Sequence, residues 1–209
     1  MAASHRLLAC KGCGSVVIEA AFALAGVPLE VEEVDYSAAS PTRARLLEVN
    51  PLGQVPALVL PDGTALTESL AILHYLNDVE PSVDLIPPPG DATRKAFYRW
   101  SVFFVAALYP TWTYGDEPQK WVSDAAAAKQ LRDSTDEHRK TLWKWVESEA
   151  KGPWFLGDRR SAIDLYLAAM TRWRPGVLWF AKNAPKLTAI AKRASELPEY
   201  APIIARNFG

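Results

Sequence analysis

The sequence has 209 residues, of which 49% are hydrophobic and 22% charged, and this ordinary composition excludes a disordered or fibrous protein. The 23 Lys and Arg residues against 24 Asp and Glu give a net charge of −1, which excludes a globally basic nucleic-acid binder. No apolar run approaches the roughly 18 residues of a membrane span, and the N-terminal apolar stretch is too short for a secretory signal. Two cysteines and three scattered histidines offer neither a disulfide framework nor a tetrahedral metal site, so we expect a cytoplasmic protein without a metal.

The first half of the chain alternates between strand-like and helix-like patterns. Short apolar or alternating runs predict strands, whereas longer stretches with apolar residues three and four positions apart predict helices. The strands are expected at 6–10, 29–35, 57–60 and 65–67, and the helices at 15–24, 42–49 and 69–77. This order predicts a small mixed sheet with helices on its faces.

The second half of the chain contains no convincing strand, and a Pro-rich segment at 80–90 separates it from the first half. Helical periodicity is found at 92–108, 124–148, 161–173 and 185–196. Ser161 and Asp164 form a capping box that marks the start of one of these helices. We therefore predict an α/β domain at 1–79, a linker at 80–90 and an all-α domain at 91–209.

Two neighbouring segments form the most specific pattern in the sequence. Residues 50–58 read NPLGQVPAL, and residues 66–73 read LTESLAIL. In this combination the chain resembles the soluble glutathione transferases of bacteria. The resemblance covers the whole chain and implies a thioredoxin-like N-terminal domain, an all-helical C-terminal domain and a cytoplasmic homodimer. It also implies that the protein conjugates glutathione, its co-substrate, to a small electrophile that is apolar or aromatic.

The resemblance implies a glutathione site built from these two segments. A cis Val55–Pro56 bond would turn the Val55 N–H and C=O outward, where they can pair with the cysteinyl part of the peptide. Ser69, at a helix N-terminus, would bind the γ-glutamyl carboxylate, and Glu68 would accept a hydrogen bond from the ammonium. Gln54 would bind the other end of the tripeptide. Each residue taken singly also fits a structural role in a turn or a cap, and only the ordered set favours a ligand site.

The resemblance leaves open which residue activates the glutathione thiol. Members of the family place a Tyr late in the first strand, or a Ser or Cys in the loop before the first helix. The strand here offers Leu7, Leu8 and Ala9, so the tyrosine type of enzyme is excluded. The two usual positions in the loop fall on Gly12 and Gly14, which carry no side chain.

Three interpretations of this loop stay open. In the first, Cys13 or its backbone N–H faces the glutathione sulfur, and the helix dipole together with Lys11 stabilises the thiolate. In the second, Ser15 at the helix N-cap donates a hydrogen bond to that thiolate. In the third, Cys10 and Cys13 form a CxxC redox pair at a strand–helix junction. Two structural cysteines and a capping serine are the alternative to all three.

Aromatic side chains of the second half are candidates for a pocket that holds the electrophile, which the resemblance places between the two domains. Tyr109 and Trp112 lie three positions apart, so that both can face one side of a helix, and Tyr114 follows them. Trp173 is a weaker candidate for the same wall. Ordinary packing between helices is the competing interpretation of these rings.

Three functions from different classes follow from these patterns. The leading one is conjugation of glutathione to an electrophile, and the second is glutathione-dependent thiol–disulfide exchange through Cys13 and Cys10. The third is glutathione binding without catalysis. The loop discriminates between the first two, because conjugation survives the loss of both thiols if Ser15 acts, whereas exchange does not.

Overall fold

The computed structural model describes residues 4–37 and 39–209, which fall into two compact units. One unit comprises Met1–Ile86 together with Arg193–Gly209, and the other comprises Pro87–Lys192. The end of the chain therefore belongs with its beginning, while the predicted domain boundaries at 79 and 91 stay a proposal. Within the described residues, no helix combines the length and the apolar character that crossing a membrane requires.

Four short strands form the mixed sheet of the first unit. In chain order they are β1 (His5–Ala9), β2 (Leu29–Glu33), β3 (Ala57–Val59) and β4 (Ala65–Thr67). Their order in the sheet is β2-β1-β3-β4, with β1 parallel to β2 and antiparallel to β3, and β3 antiparallel to β4. Leu7 and Leu8 of β1 are fully buried because the central strands are covered on both faces. The predicted small mixed sheet of a thioredoxin-like domain is thus confirmed.

Besides a short 3-10 helix at Pro81–Val83, four α-helices in the described part of the chain accompany this sheet. They are α1 (Ser15–Ala25), α2 (Pro41–Val49), α3 (Ser69–Val79) and, from the end of the chain, α10 (Ala201–Phe208). Residues 15–22 of α1 are all buried, as its nearly continuous apolar sequence predicts. Gly26 ends α1 in the left-handed conformation, at φ 64°. The first three helices match the predicted positions, whereas α10 is not predicted from the sequence.

The second unit is helical. Its helices are α4 (Arg94–Phe103), α5 (Tyr109–Asp116), α6 (Ala125–Glu149), α7 (Ala162–Met170), α8 (Val177–Asn183) and the greater part of α9 (Pro185–Ser195). The helix predicted at 92–108 begins at Arg94, and its last turn, Phe104–Leu108, widens into a π-helix that leads into α5. The cause is Pro110, which has no N–H to donate back along the helix. The predicted helical second half is confirmed, with α8 as an addition.

The start of α7 is fixed by the predicted capping box, which is confirmed. The Ser161 N–H donates to Asp164 Oδ2 over 2.7 Å, and the Phe155 N–H donates to Asp164 Oδ1 over 2.8 Å. The Asp164 carboxyl is fully buried, and this desolvation raises its pKa to about 6, although the two backbone N–H groups oppose the rise. This carboxylate therefore joins the helix to the preceding loop and has a structural role.

Candidate functional site

The strand pairing brings three predicted segments to one end of the sheet. Leu8 of β1 pairs with Ala57 of β3, and Ala57 pairs with Thr67 of β4, so these three residues form one row across the sheet. Because β3 runs antiparallel to both neighbours, the chain that follows Leu8, the chain that precedes Ala57 and the chain that follows Thr67 all leave the sheet at that end. The cysteine loop, the Val55–Pro56 turn and the Glu68–Ser69 turn are those three chains.

The turn before β3 has the backbone that the sequence predicts. The Val55–Pro56 bond is cis. Asn50 at the end of α2 holds the approach to this turn, since its Nδ2 donates to the Gln54 carbonyl over 2.8 Å and its carbonyl accepts from the Gly53 N–H over 2.8 Å. The Val55 side chain packs on the core cluster of the first unit. Its backbone is therefore on the side away from the core, while the Gln54 side chain is exposed.

The turn between β4 and α3 places a carboxylate and a hydroxyl at a helix start. Ser69 is the first residue of α3 and is 9% exposed, whereas Glu68 before it is exposed. Glu68 has φ 65° and ψ 110°. Within the described ranges, Glu68 and Asp84 are the two non-glycine residues with positive φ. Such a conformation is uncommon for a residue with a Cβ and is concentrated at functional sites.

The loop after β1 is closed by its own hydrogen bonds and by a disulfide. Cys10 and Cys13 are joined to each other, and the Cys13 N–H donates to the Cys10 carbonyl over 3.1 Å. The Ser15 hydroxyl donates to the Cys10 carbonyl and accepts from the Cys10 N–H, both over 3.2 Å. Cys10 thus follows the strand and does not belong to it, while Cys13 is half-buried.

The expected role of Ser15 in this loop differs from the structure. The N-cap of α1 is Gly14, and Ser15 is the first residue of the helix. The predicted capping role of Ser15 is therefore wrong, because its hydroxyl turns back to the Cys10 backbone. Ser15 is also fully buried. Lys11 between the cysteines is exposed, and its contact with a ligand stays a prediction.

A pocket of about 130 Å³ lies beside the cysteine loop, within the first unit, and no pattern in the sequence predicts it. Its walls include Cys10 and Lys11 from the loop, Glu19 from α1, and Arg206 and Asn207 from α10. The only local signal for α10 is the short apolar stretch at 200–208. The contacts of α10 with α1 join parts of the chain that are far apart in sequence.

The predicted aromatic residues divide into two groups in the second unit. Tyr109, Trp112 and Trp173 form one cluster, with ring centroids 5.3 to 6.2 Å apart. Trp112 is 6% exposed and its Nε1 donates to a backbone carbonyl over 3.0 Å, so most of its ring belongs to the core. Tyr114 packs instead on Trp121, with centroids 4.8 Å apart. In the cluster of Tyr109, Trp112 and Trp173, the side chains of Tyr109 and Trp173 are half-buried.

Several known proteins are similar to this chain in sequence or in fold. Residues 15–79 match the family described as "Glutathione S-transferase, N-terminal domain". The Escherichia coli K12 protein named "Uncharacterized GST-like protein YncG" is 38% identical over 200 residues, which are 94% of this chain and 95% of that protein. "Glutathione S-transferase GstA" of Escherichia coli O157:H7 is 32% identical over 154 residues, 72% of each chain. Among solved structures, a glutathione transferase homologue from Sulfitobacter with bound glutathione has a TM-score of 0.87 at 25% identity, covering 97% of this chain and 98% of that one.

Proposed function

Because the chain belongs to the glutathione transferase family, we propose that it binds glutathione at the end of the sheet where the cysteine loop, Val55–Pro56 and Glu68–Ser69 meet. The bound thiol is transferred to an electrophilic small molecule of apolar or aromatic character. The observation that carries the proposal is the row Leu8–Ala57–Thr67, which brings three chain segments distant in sequence to one place.

The chemistry of each segment suits one part of the tripeptide. The outward backbone of Val55 pairs with the extended cysteinyl unit, as an added strand would. The Ser69 hydroxyl and the N-terminus of α3 bind the γ-glutamyl carboxylate, and the Glu68 carboxylate accepts from the ammonium. Gln54 on the exposed side of the turn and Lys11 of the loop bind the remaining carboxylate or the sulfur end of the ligand.

In conjugation, the glutathione thiolate attacks the electrophilic carbon, an S–C bond forms, and the leaving group departs with its electron pair. We propose Cys13 in its reduced form as the side chain nearest the sulfur, because it stands before α1, where the helix dipole and backbone N–H groups favour an anion. Ser15 is the weaker candidate, since its hydroxyl is engaged with Cys10. Tyr109, Trp112 and Tyr114 remain candidates for contact with the electrophile, with Trp173 beside the first two.

The pairing of Cys10 with Cys13 favours a second candidate, glutathione-dependent thiol–disulfide exchange. One glutathione thiolate attacks the Cys13 sulfur, so that a mixed disulfide forms and Cys10 leaves as a thiolate. A second glutathione thiolate attacks the mixed disulfide, which yields oxidised glutathione and a Cys13 thiolate. The two thiolates take up protons, and the reduced pair can then reduce a substrate disulfide in turn.

Two assays on the same protein separate these candidates. We expect turnover of glutathione with a chloronitrobenzene electrophile, with a loss of about tenfold or more in Cys13→Ala. The reduction of a mixed disulfide of glutathione, measured beside it, is expected to disappear in Cys13→Ala and to persist in Cys10→Ala if exchange takes place, because a second glutathione resolves the mixed disulfide on Cys13. Glutathione binding without either activity would contradict both enzymes and leave the non-catalytic binding protein.

We also propose that the protein acts in the cytoplasm as a homodimer. This carries over from the family and agrees with the predominance of two-fold dimers among oligomers of soluble proteins.

A further inference from the structure

A side chain from α10 holds the middle of the cysteine loop. The Gly12 N–H donates to Asn207 Oδ1 over 3.0 Å, although the two residues are 195 positions apart. Asn207 Nδ2 donates in turn to the Ile203 carbonyl over 3.0 Å, one turn earlier on the same helix. Because this second bond fixes the donor side of the carboxamide, its oxygen is directed at Gly12. Asn207 is buried, so water competes poorly for either bond.

Gly12 is the residue of the loop that gains most from such an anchor. Its φ of +71° lies in the left-handed region, and glycine loses more conformational freedom on folding than any other residue. The other loop hydrogen bonds described above join Cys10 to Cys13 and to Ser15, which fixes the two ends of the loop. The bond to Asn207 fixes the position between the cysteines.

We propose that Asn207 is a positioning residue for the Cys10–Cys13 pair, which it favours as a disulfide by holding Gly12 in the conformation that brings the cysteines together. The two Cα atoms are 5.4 Å apart, within the range that a disulfide can bridge. A reduced loop already held in this conformation loses less entropy when the disulfide closes. The inference rests on the exchange route of the proposed function, but its test needs no bound glutathione.

Equilibration with dithiothreitol measures this effect directly. Dithiothreitol gives two electrons and two protons to the pair, so that the S–S bond breaks, two thiols form and dithiothreitol closes to its cyclic disulfide. The measured quantity is the equilibrium constant for oxidation of the Cys10–Cys13 dithiol by the cyclic disulfide of dithiothreitol. We expect Asn207→Leu to lower this constant about three- to tenfold, which raises the reduction potential of the pair by about 15–30 mV. Asn207→Gln keeps a carboxamide oxygen and places no second carboxylate beside the buried Glu19, with which Asn207 also forms a hydrogen bond, so it should restore part of the constant.

Arg206→Gln is the matched control, because it breaks another polar contact of α10, with Glu19, and keeps the bond to Gly12. Its constant should equal that of the unmodified protein. An unchanged constant in Asn207→Leu, an equal fall in Arg206→Gln, or no restoration in Asn207→Gln would overturn the proposal. If the constants change as expected but the protein does not bind glutathione, the proposed function is contradicted and the role of Asn207 is not.

Hydrogen exchange at the Gly12 amide is a second measurement. It can be made on the unmodified protein, so it tests the proposal even if a variant fails to fold. We expect the Gly12 N–H to be protected in both the oxidised and the reduced protein, because the acceptor belongs to Asn207 and not to the disulfide. In Asn207→Leu the exchange should be about tenfold faster. Rapid exchange in the reduced, unmodified protein would overturn the proposal, since the loop would then not be held before the disulfide forms.

Discussion

Glu19 on α1 and Arg206 on α10 form an ion pair between residues that are 187 positions apart in the chain. The Glu19 side chain is 5% exposed and that of Arg206 is 60% exposed, so the carboxylate is buried while its partner reaches solvent. Burial raises the pKa of Glu19, and the positive charge of Arg206 opposes that rise. A charged contact therefore joins the last helix to the first one.

Removing the cation should leave a buried carboxylate with no opposing charge from Arg206, while its hydrogen bond to Asn207 remains. We expect Arg206→Ala to lower the free energy of unfolding at about pH 7 by about 1–3 kcal/mol, less than for a fully buried pair because Arg206 is largely exposed. The loss should be smaller at about pH 5. Burial raises the pKa of Glu19 in the folded protein, so the folded state binds a proton there more tightly than the unfolded chain does, and its stability increases as the pH falls. Urea unfolding at both pH values measures this. Glu19→Gln added to Arg206→Ala is the control and should recover part of the stability, whereas a pH-independent loss would contradict the assignment.

Glutathione binding should depend on the start of α3. Ser69→Ala removes a hydrogen bond to a charged group, which is worth about 1.5–3 kcal/mol, so we expect Kd to rise about tenfold or more in calorimetric titration. The control is Glu80→Ala with Ser82→Ala, a second Glu and Ser near a helix start, where the Glu80 carboxylate accepts from the Ser82 hydroxyl over 2.5 Å. That pair should bind as the unmodified protein does. Unchanged affinity when both Glu68 and Ser69 are replaced by Ala would remove this site.

The buried Asp164 carboxyl should give the protein a measurable pH dependence. Its pKa of about 6 in the folded state lies above the ordinary value of 3.8, so the folded protein binds the proton more tightly than the unfolded chain. The free energy of unfolding should therefore fall as the pH rises from about 4 to about 6, by at most about 1.4 kcal/mol per pH unit from this group. Asp164→Asn should lose this slope, whereas Ser161→Ala, which keeps the buried carboxyl, should retain it. Equal slopes in Asp164→Asn and the unmodified protein would show that the carboxyl titrates normally.

The oligomeric state is tested by light scattering. We expect a mass near twice the 23.1 kDa of the chain at micromolar concentration, as closed two-fold dimers are the commonest oligomers. The same mass should be found for the Cys13→Ala variant, since no intermolecular disulfide is needed. A mass of 23.1 kDa for the unmodified protein would contradict the homodimer.

The sequence predicted the parts of the site that have local signals. Val55–Pro56 and Glu68–Ser69 stand out through the resemblance that their two segments carry, and the structure has the cis bond and the helix start at those positions, while their contact with a ligand stays a prediction. Alternating or apolar runs predicted the strands, because burial of one or both faces imposes those patterns. The register that brings the segments together follows from the pairing of Leu8 with Ala57, which no local pattern specifies.

The remaining features arise from contacts between distant residues. Ser15 carries the signal of a helix cap, yet the geometry of the loop turns its hydroxyl to Cys10 and the cap falls on Gly14. The anchor of Gly12 is Asn207, and nothing in either residue's neighbours indicates the other. A proline such as Pro110 commonly ends a helix, but here the helical path continues past it through a π-helical turn.

The first compact unit is discontinuous, and this sets an order of events during synthesis. The ribosome completes Pro87–Lys192 before it adds Arg193–Gly209, so the strands near the start of the chain are made long before their last helix. A nascent or truncated chain that ends at Ile86 contains both cysteines but neither Asn207 nor Arg206. The cysteine loop of such a fragment therefore lacks the acceptor of the Gly12 N–H, and under the proposal made for Asn207 its disulfide should form less readily than that of the full chain.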